Sequence, residues 1–203
     1  MMTARRVLLP AATLAFFAGV FVLPMVRQRL RTGSSGVLFH RSTDPVQRLV
    51  SFTLGALFVG VATWSVVYAC LGSEALGVWA AARPVSDLGI GLGLVAFAVM
   101  VLAQAQMGRS WRVGIDPART KLVTHGLFAI VRNPIYTSVL LALAAVFLVT
   151  PSAWTASGAL FGGFLVALQA RLEEAHLLAM HGDAYRSYAR RTGRFLPGVG
   201  RWV

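Results

Sequence analysis

Long apolar runs separated by short polar stretches fill most of the chain, and they set the first structural expectation. A helix needs about 20 apolar residues to cross a hydrocarbon core. Residues 7–26 and 49–71 reach that length outright, and residues 88–105 fall slightly short of it. Two further runs, residues 135–149 and 154–170, are separated only by Thr150, Pro151, Ser152 and Ala153, so they predict a helical hairpin with antiparallel arms. The first arm is short for a full crossing. It either thins the bilayer locally or borrows residues 131–134 at its start. The fold class expected is all-α, a polytopic integral membrane protein of about five transmembrane helices with a C-terminal cytoplasmic helical cap.

Arg5 and Arg6 precede the first run as they would in a signal peptide, but Pro24, Met25 and Arg27 stand where a small-residue cleavage site would be needed. The first run is therefore read as a retained helix. The Arg5-Arg6 dipeptide by itself does not make a twin-arginine signal. Residues 31–41, with Gly33, Ser34, Ser35 and Gly36, read as a loop. Beyond the fifth run, helix formers continue through Arg171, Glu173, Glu174 and His176 as far as His181. Gly182 suits a helix end, and Asp183 suits the N-cap of a second short helix carrying Tyr185 and Tyr188. Gly193, Pro197 and Gly198 then break it, so the tail is expected to fold as a cap.

Composition sharpens this picture. Charged residues make up 13% of the chain and hydrophobic ones 57%, against about 25% charged in ordinary soluble domains. The net charge of +12 would point to nucleic acid in a soluble protein. Here sixteen of the nineteen basic residues fall in the stretches after the first, third and fifth helices, leaving only Arg5, Arg6 and Arg83 opposite. The charge thus reports topology, with the N-terminus outside and the C-terminus in the cytoplasm, and no nucleic-acid partner is expected. Cys70 lies alone in an apolar run, which excludes an intrachain disulfide and a cysteine-based metal site. The four histidines form no HExxH pattern, and no metal is expected.

Three cytoplasmic features carry candidate chemistry. Residues 122–136 lead into the fourth helix through Arg132, Asn133 and Pro134. Proline suits a first helical turn, and the unpaired N–H groups there favour an anionic group such as a ligand carboxylate. The plainer reading is a loop followed by a helix start. Glu173 and Glu174 sit where the fifth helix leaves the bilayer, where acids are costly unless solvated or paired. They suit an exposed helix surface, or a carboxylate that holds ribose hydroxyls or an ammonium group. Tyr185, Tyr188 and the surrounding arginines suit a basic amphipathic helix at the lipid headgroups.

Together these features resemble a known family. The order Leu122-Val123-Thr124, Gly126, Phe128, Arg132-Asn133-Pro134, Tyr136, then a helical hairpin, Glu173-Glu174, His181-Gly182-Asp183-Ala184-Tyr185, Tyr188 and Arg194-Phe195-Leu196-Pro197 is similar to the isoprenylcysteine carboxyl methyltransferases and their broad bacterial relatives. Phospholipid N-methyltransferases are similar at greater distance. The resemblance spans about residues 107–197. It implies a bacterial inner-membrane enzyme that binds S-adenosyl-L-methionine in a cytoplasmic pocket closed by the C-terminal segment, with a tunnel from the bilayer for a lipophilic acceptor. It also implies a division into a three-helix transmembrane region, residues 1–105, and a methyltransferase-like region, residues 106–203.

Carried over residue by residue, the resemblance puts cofactor contacts on Thr120, Lys121, Leu122, Val123, Phe128, Asn133, Pro134, Ile135, Tyr136 and Glu173. Arg132 and Tyr136 fall beside the reacting centre. Two positions depart from the family. Asn133 stands where the family has histidine, so a titratable group is replaced by an amide. Gln169 stands where the carboxyl methyltransferases place an acceptor-binding arginine, with Arg171 two residues on. Both are expected to face the acceptor. A sulfonium methyl is already electrophilic, so the protein mainly aligns donor and acceptor and excludes water. With no clear general base in the sequence, O-methylation of a carboxylate or S-methylation is expected ahead of N-methylation. The competing readings are a phospholipid N-methyltransferase and a non-catalytic membrane protein that retains the fold.

Overall fold

The computed structural model describes residues 2–33, 44–108 and 121–203. Among them are seven α-helices and no strand: α1 (Met2–Phe17), α2 (Leu23–Thr32), α3 (Pro45–Ala75), α4 (Arg83–Met107), α5 (Pro134–Val149), α6 (Ala153–His181) and α7 (Asp183–Arg191). Four stretches are long and apolar enough to cross a membrane: Arg6–Leu30, Pro45–Ala75, Arg83–Met107 and Ala153–His181. The fifth apolar helix, α5, has 16 residues, which at 1.5 Å each span about 24 Å, short of a hydrocarbon core of about 30 Å. Leu14, Phe52, Leu94, Leu160 and Phe164 point outward from the bundle and are exposed. Such a girdle of large apolar side chains has its counterpart in lipid tails, and the chain is an integral membrane protein.

The first crossing is one helix with a defect. Between α1 and α2, Ala18–Val22 forms a turn of π-helix, and the Leu23 N–H reaches back to the Ala18 carbonyl. An α-helical partner for the Val20 carbonyl would be the N–H of residue 24, which is proline and has none. Gln104 of α4 supplies the missing donor, its Nε2 lying 2.9 Å from the Val20 oxygen. In a bilayer interior an unsatisfied carbonyl has no water to turn to, so this one side chain both relieves the defect and ties the first crossing to the third.

Small residues set the close packing elsewhere. On α4, a Cβ added to Gly89 would sit 2.9 Å from Leu148 Cβ and Val149 Cγ2 of α5. Ser138 of α5 donates to the Ala96 carbonyl of α4 at 2.7 Å. At Gly162 of α6 a Cβ would lie 2.6 Å from Leu143 Cδ1 and 2.7 Å from Leu57 Cδ2. These contacts let backbones approach as membrane bundles require. Val20, Met100, Val139, Leu143 and Val166 are the buried centre that results.

The hairpin between α5 and α6 forms as expected. Ser152 caps α6 in a reciprocal pair with Thr155, and Trp64 Nε1 donates to Thr150 Oγ1 at 3.1 Å, fixing the turn to α3. The helix α6 runs unbroken to His181, also as expected. Gly182, at φ 54°, ends α6 as expected; one detail is corrected, since Gly182 is also the N-cap of α7 and Asp183 is that helix's first residue, paired with Arg186 at 3.1 Å.

Candidate cofactor and acceptor site

The polar end of the bundle is built where the loop before α5 meets the chain's C-terminal strap. Val131 and Gly193 form a parallel bridge, with the Arg132 N–H on the Gly193 carbonyl at 2.7 Å and the Asn133 N–H on the Arg194 carbonyl at 3.1 Å. A side chain at residue 193 would run into the Leu196 carbonyl and the Gly198 nitrogen, so only glycine allows the strap to fold back there. Thr137 Oγ1 holds the Phe195 carbonyl at 2.9 Å. The strap thus lies across the first turn of α5.

Glu174 is the hub beneath it. Its carboxylate receives Arg132 Nε at 3.1 Å, Asn133 Nδ2 at 2.9 Å and Arg194 Nη2 at 2.8 Å. Arg132 is almost fully enclosed and makes three further bonds, to the carbonyls of Ala189, Thr192 and Gly200. Its guanidinium also lies 5.9 Å from the Trp202 ring centre. The charges here are spent on one another and on the strap's carbonyls, which is the condition for burying them.

Above the hub lies the cap's own core. Tyr185, Tyr188 and Ala189 are buried against Leu122, Leu177, Leu178 and Trp202. The apolar face of α7 is therefore consumed within the protein and does not lie in headgroups. Tyr188 donates to the Phe128 carbonyl at 2.6 Å, tying α7 to the 3-10 turn Gly126–Ala129. Burial pushes the Tyr188 hydroxyl up to about 12, and Tyr185 higher still. That turn is held from below as well: Gln106 Oε1 accepts from the Leu127 N–H at 2.8 Å.

A second cluster occupies the adjoining face of α5 and α6. Tyr136 donates to Glu173 Oε1 at 2.5 Å, and Gln169 Nε2 donates to the same oxygen at 3.1 Å. Gln169 is 3% exposed, and its Oε1 has no hydrogen-bond partner among the described residues. Residues 169 and 173 are one helical turn apart and share a face; Arg171 is about 200° round the helix from Gln169 and exposed.

The sequence-predicted residues thus divide. Phe128, Asn133, Pro134, Ile135, Tyr136, Glu173 and Gln169 gather around the start of α5. Leu122 joins the cap core, Val123 is half-buried, Lys121 is exposed, and Thr120 lies outside the described residues. Gln104, Gln106 and Trp202 escaped the sequence reading, because glutamines in an apolar run and a tryptophan near a terminus carry no local signal of their partners. For an S-adenosyl group the fit rests on the donor set. Asn133, the N-cap of α5, makes no side-chain cap bond, its amide having turned to Glu174. The start of α5 thus lacks a side-chain cap, and a helix start of this kind beside the Glu173 carboxylate suits an anionic group together with hydroxyls or an ammonium.

Deeper in the bundle, α1, α3, α4 and α5 line a half-open apolar cavity of about 400 Å³. Phe16, Leu57, Gly93, Val139 and Val149 are among its walls. It begins at Val139, one helical turn from Tyr136, and follows α5 to its far end. Its lining suits a hydrocarbon chain.

The fold is similar to that of a solved membrane methyltransferase, and part of the chain matches a methyltransferase family model. Residues 86–184 match the model of the phospholipid methyltransferase family, 99 of the chain's 203 residues. The structure of the eukaryotic intramembrane Ras methyltransferase, isoprenylcysteine carboxyl methyltransferase, is similar with a TM-score of 0.61 at 17% identity, covering 94% of this chain and 66% of that one. The chain thus spans just under two thirds of that enzyme's length. No curated protein matches it by sequence. The chain thus shares the membrane fold of the isoprenylcysteine carboxyl methyltransferase structure, and its residues 86–184 are similar to the phospholipid methyltransferase family.

Proposed function

We propose that this protein transfers a methyl group from S-adenosyl-L-methionine to a lipophilic acceptor that enters from the bilayer. The observation that carries this is the Tyr136, Glu173 and Gln169 cluster, set between the uncapped start of α5 and an apolar cavity that begins one turn away. A bound S-adenosyl group supplies an electrophilic methyl. Glu173, oriented by Tyr136 and Gln169, holds donor groups of that cofactor, and the start of α5 takes its carboxylate. Arg132 acts as a positioning residue, pinning the strap over α5 through Glu174 and the carbonyls of Ala189, Thr192 and Gly200. The strap excludes water from the reacting centre, and the cavity holds the acceptor's tail.

By analogy with the isoprenylcysteine enzyme, the first acceptor to test is a lipophilic carboxylate of the isoprenylcysteine kind. The site lies at the cytoplasmic face of the membrane, the side favoured by the basic residues. Calorimetry with S-adenosylhomocysteine on detergent-purified protein tests the cofactor, with saturable binding expected. Label transfer from methyl-labelled cofactor to a prenylated cysteine derivative tests the reaction. Reporter fusions near Leu76 and at Val203 should lie on opposite sides of the membrane. No cofactor binding, or no transfer to any lipophilic acceptor, would sink the reading.

A further inference from the structure

Gln169 carries the cluster's fully buried acceptor that no neighbouring side chain fills. Its Nε2 donates to Glu173 Oε1, while its Oε1 is buried with no partner among the described residues. The amide cannot simply be turned over, because that would set its carbonyl oxygen against the Glu173 carboxylate. The orientation is therefore fixed by its neighbours, and an acceptor atom is left unfilled beside the Tyr136 and Glu173 pair. Buried acceptors in native proteins are nearly always paired, so an orphan at a binding site marks the place of a ligand donor.

Depth says which ligand. Gln169 lies four residues, about 6 Å, further into the bilayer than Glu173 along α6. It precedes the polar hub for any head group arriving from the membrane side, whereas the strap and cap sit on the other side of Glu173. Resting on the methyltransferase reading above, we infer that Gln169 selects acceptors whose head group presents an N–H or O–H donor beside the methylated atom. Such donors are an amide N–H next to a carboxylate, a hydroxyl or an amine. Head groups that offer only acceptor atoms would set oxygen against the Gln169 carbonyl and the Glu173 carboxylate together. A site built to take a donor discriminates strongly against the analogue that lacks it, since the buried oxygen then stays unpaired.

Two matched probe pairs test this on the full-length protein in nanodiscs loaded with S-adenosylhomocysteine. N-dodecanoylglycine is compared with N-dodecanoylsarcosine, which replaces the amide N–H by N-methyl. Dodecanol is compared with dodecyl methyl ether. The donor-bearing member of at least one pair should bind tenfold or more tightly in the wild type, and Gln169→Met should bring that pair to parity. Parity within both pairs in the wild type, a preference that survives Gln169→Met, or failure of all four probes to bind would each overturn the inference. The wild-type comparison needs no variant and so does not depend on whether Gln169→Met folds. Parity in both pairs together with weaker S-adenosylhomocysteine binding by Gln169→Met would assign the orphan oxygen to the cofactor instead. Absence of S-adenosylhomocysteine binding in the wild type would sink the methyltransferase reading itself, a result distinct from any of these.

Discussion

Arg132 Nε lies 3.1 Å from Glu174 Oε1, with both side chains almost wholly enclosed, at 1% and 3% exposure. The pair joins the loop before α5 to the end of α6, and Arg194 brings in the strap as the third member. Removing one charge from such a group leaves the others buried and uncompensated, at a cost of about 3–5 kcal/mol. Glu174→Gln should therefore loosen the cap, lowering the thermal midpoint and unwinding α7 so that trypsin cleaves after the already exposed Arg186, Arg190 and Arg191. An unchanged digestion pattern would show that the strap is held by its backbone bonds alone.

Glu173 stands beside it in sequence but in a different role. If its carboxylate holds donors of the cofactor, Glu173→Gln loses charge-assisted bonds of about 1.5–3 kcal/mol. At 1.4 kcal/mol per decade, S-adenosylhomocysteine affinity should fall roughly 10- to 150-fold. The control is Glu74→Gln at the exposed C-terminal end of α3, which should bind like the parent. Equal affinity in all three proteins would remove Glu173 from the site.

The bond from Gln104 to the Val20 carbonyl exists because Pro24 has no N–H to offer. Gln104→Leu should destabilise the bundle by about 1–2 kcal/mol, the upper range for such bonds in membranes. In a Pro24→Ala background the helix can satisfy Val20 by itself, so the same change should cost less. A double-mutant cycle by unfolding in mixed micelles measures the coupling. Strict additivity would mean that the two sites act independently.

Alkaline pH should open the cap. Tyr188 is pushed up to about 12 from an ordinary value of 10, chiefly by burial. The folded state therefore favours the protonated phenol more than the unfolded state does. That contribution is complete below pH 10 and is lost as pH rises through about 12. Tyrosinate absorbance and protease sensitivity, followed together, should rise in step over that window. Tyr188→Phe should flatten the dependence, though it also leaves the Phe128 carbonyl without its donor.

The apolar runs fixed the number and place of the long helices, because the length needed to cross a bilayer is a local property of the chain. The hairpin at Thr150 to Ser152, the continuation of α6 to His181 and the stop at Gly182 were legible for the same reason, each resting on neighbouring residues. Spacing also brought Arg132, Asn133, Pro134, Tyr136 and Glu173 into view as one group. What it left open was the division of labour between the two glutamates. Adjacent residues on a helix point about 100° apart, but only the positions of α5, α7 and the strap decide what each one meets. Glu174, which the sequence offers as exposed helix surface or as a ligand-holding carboxylate, is the cap's anchor through residues 20 and 42 positions away. The Gln104 bond to Val20 spans 84 positions and repairs a defect that the sequence announces only as a proline. Such pairings are set when helices pack, since a buried polar atom must be satisfied by whatever lies within reach, and reach is a property of the folded bundle.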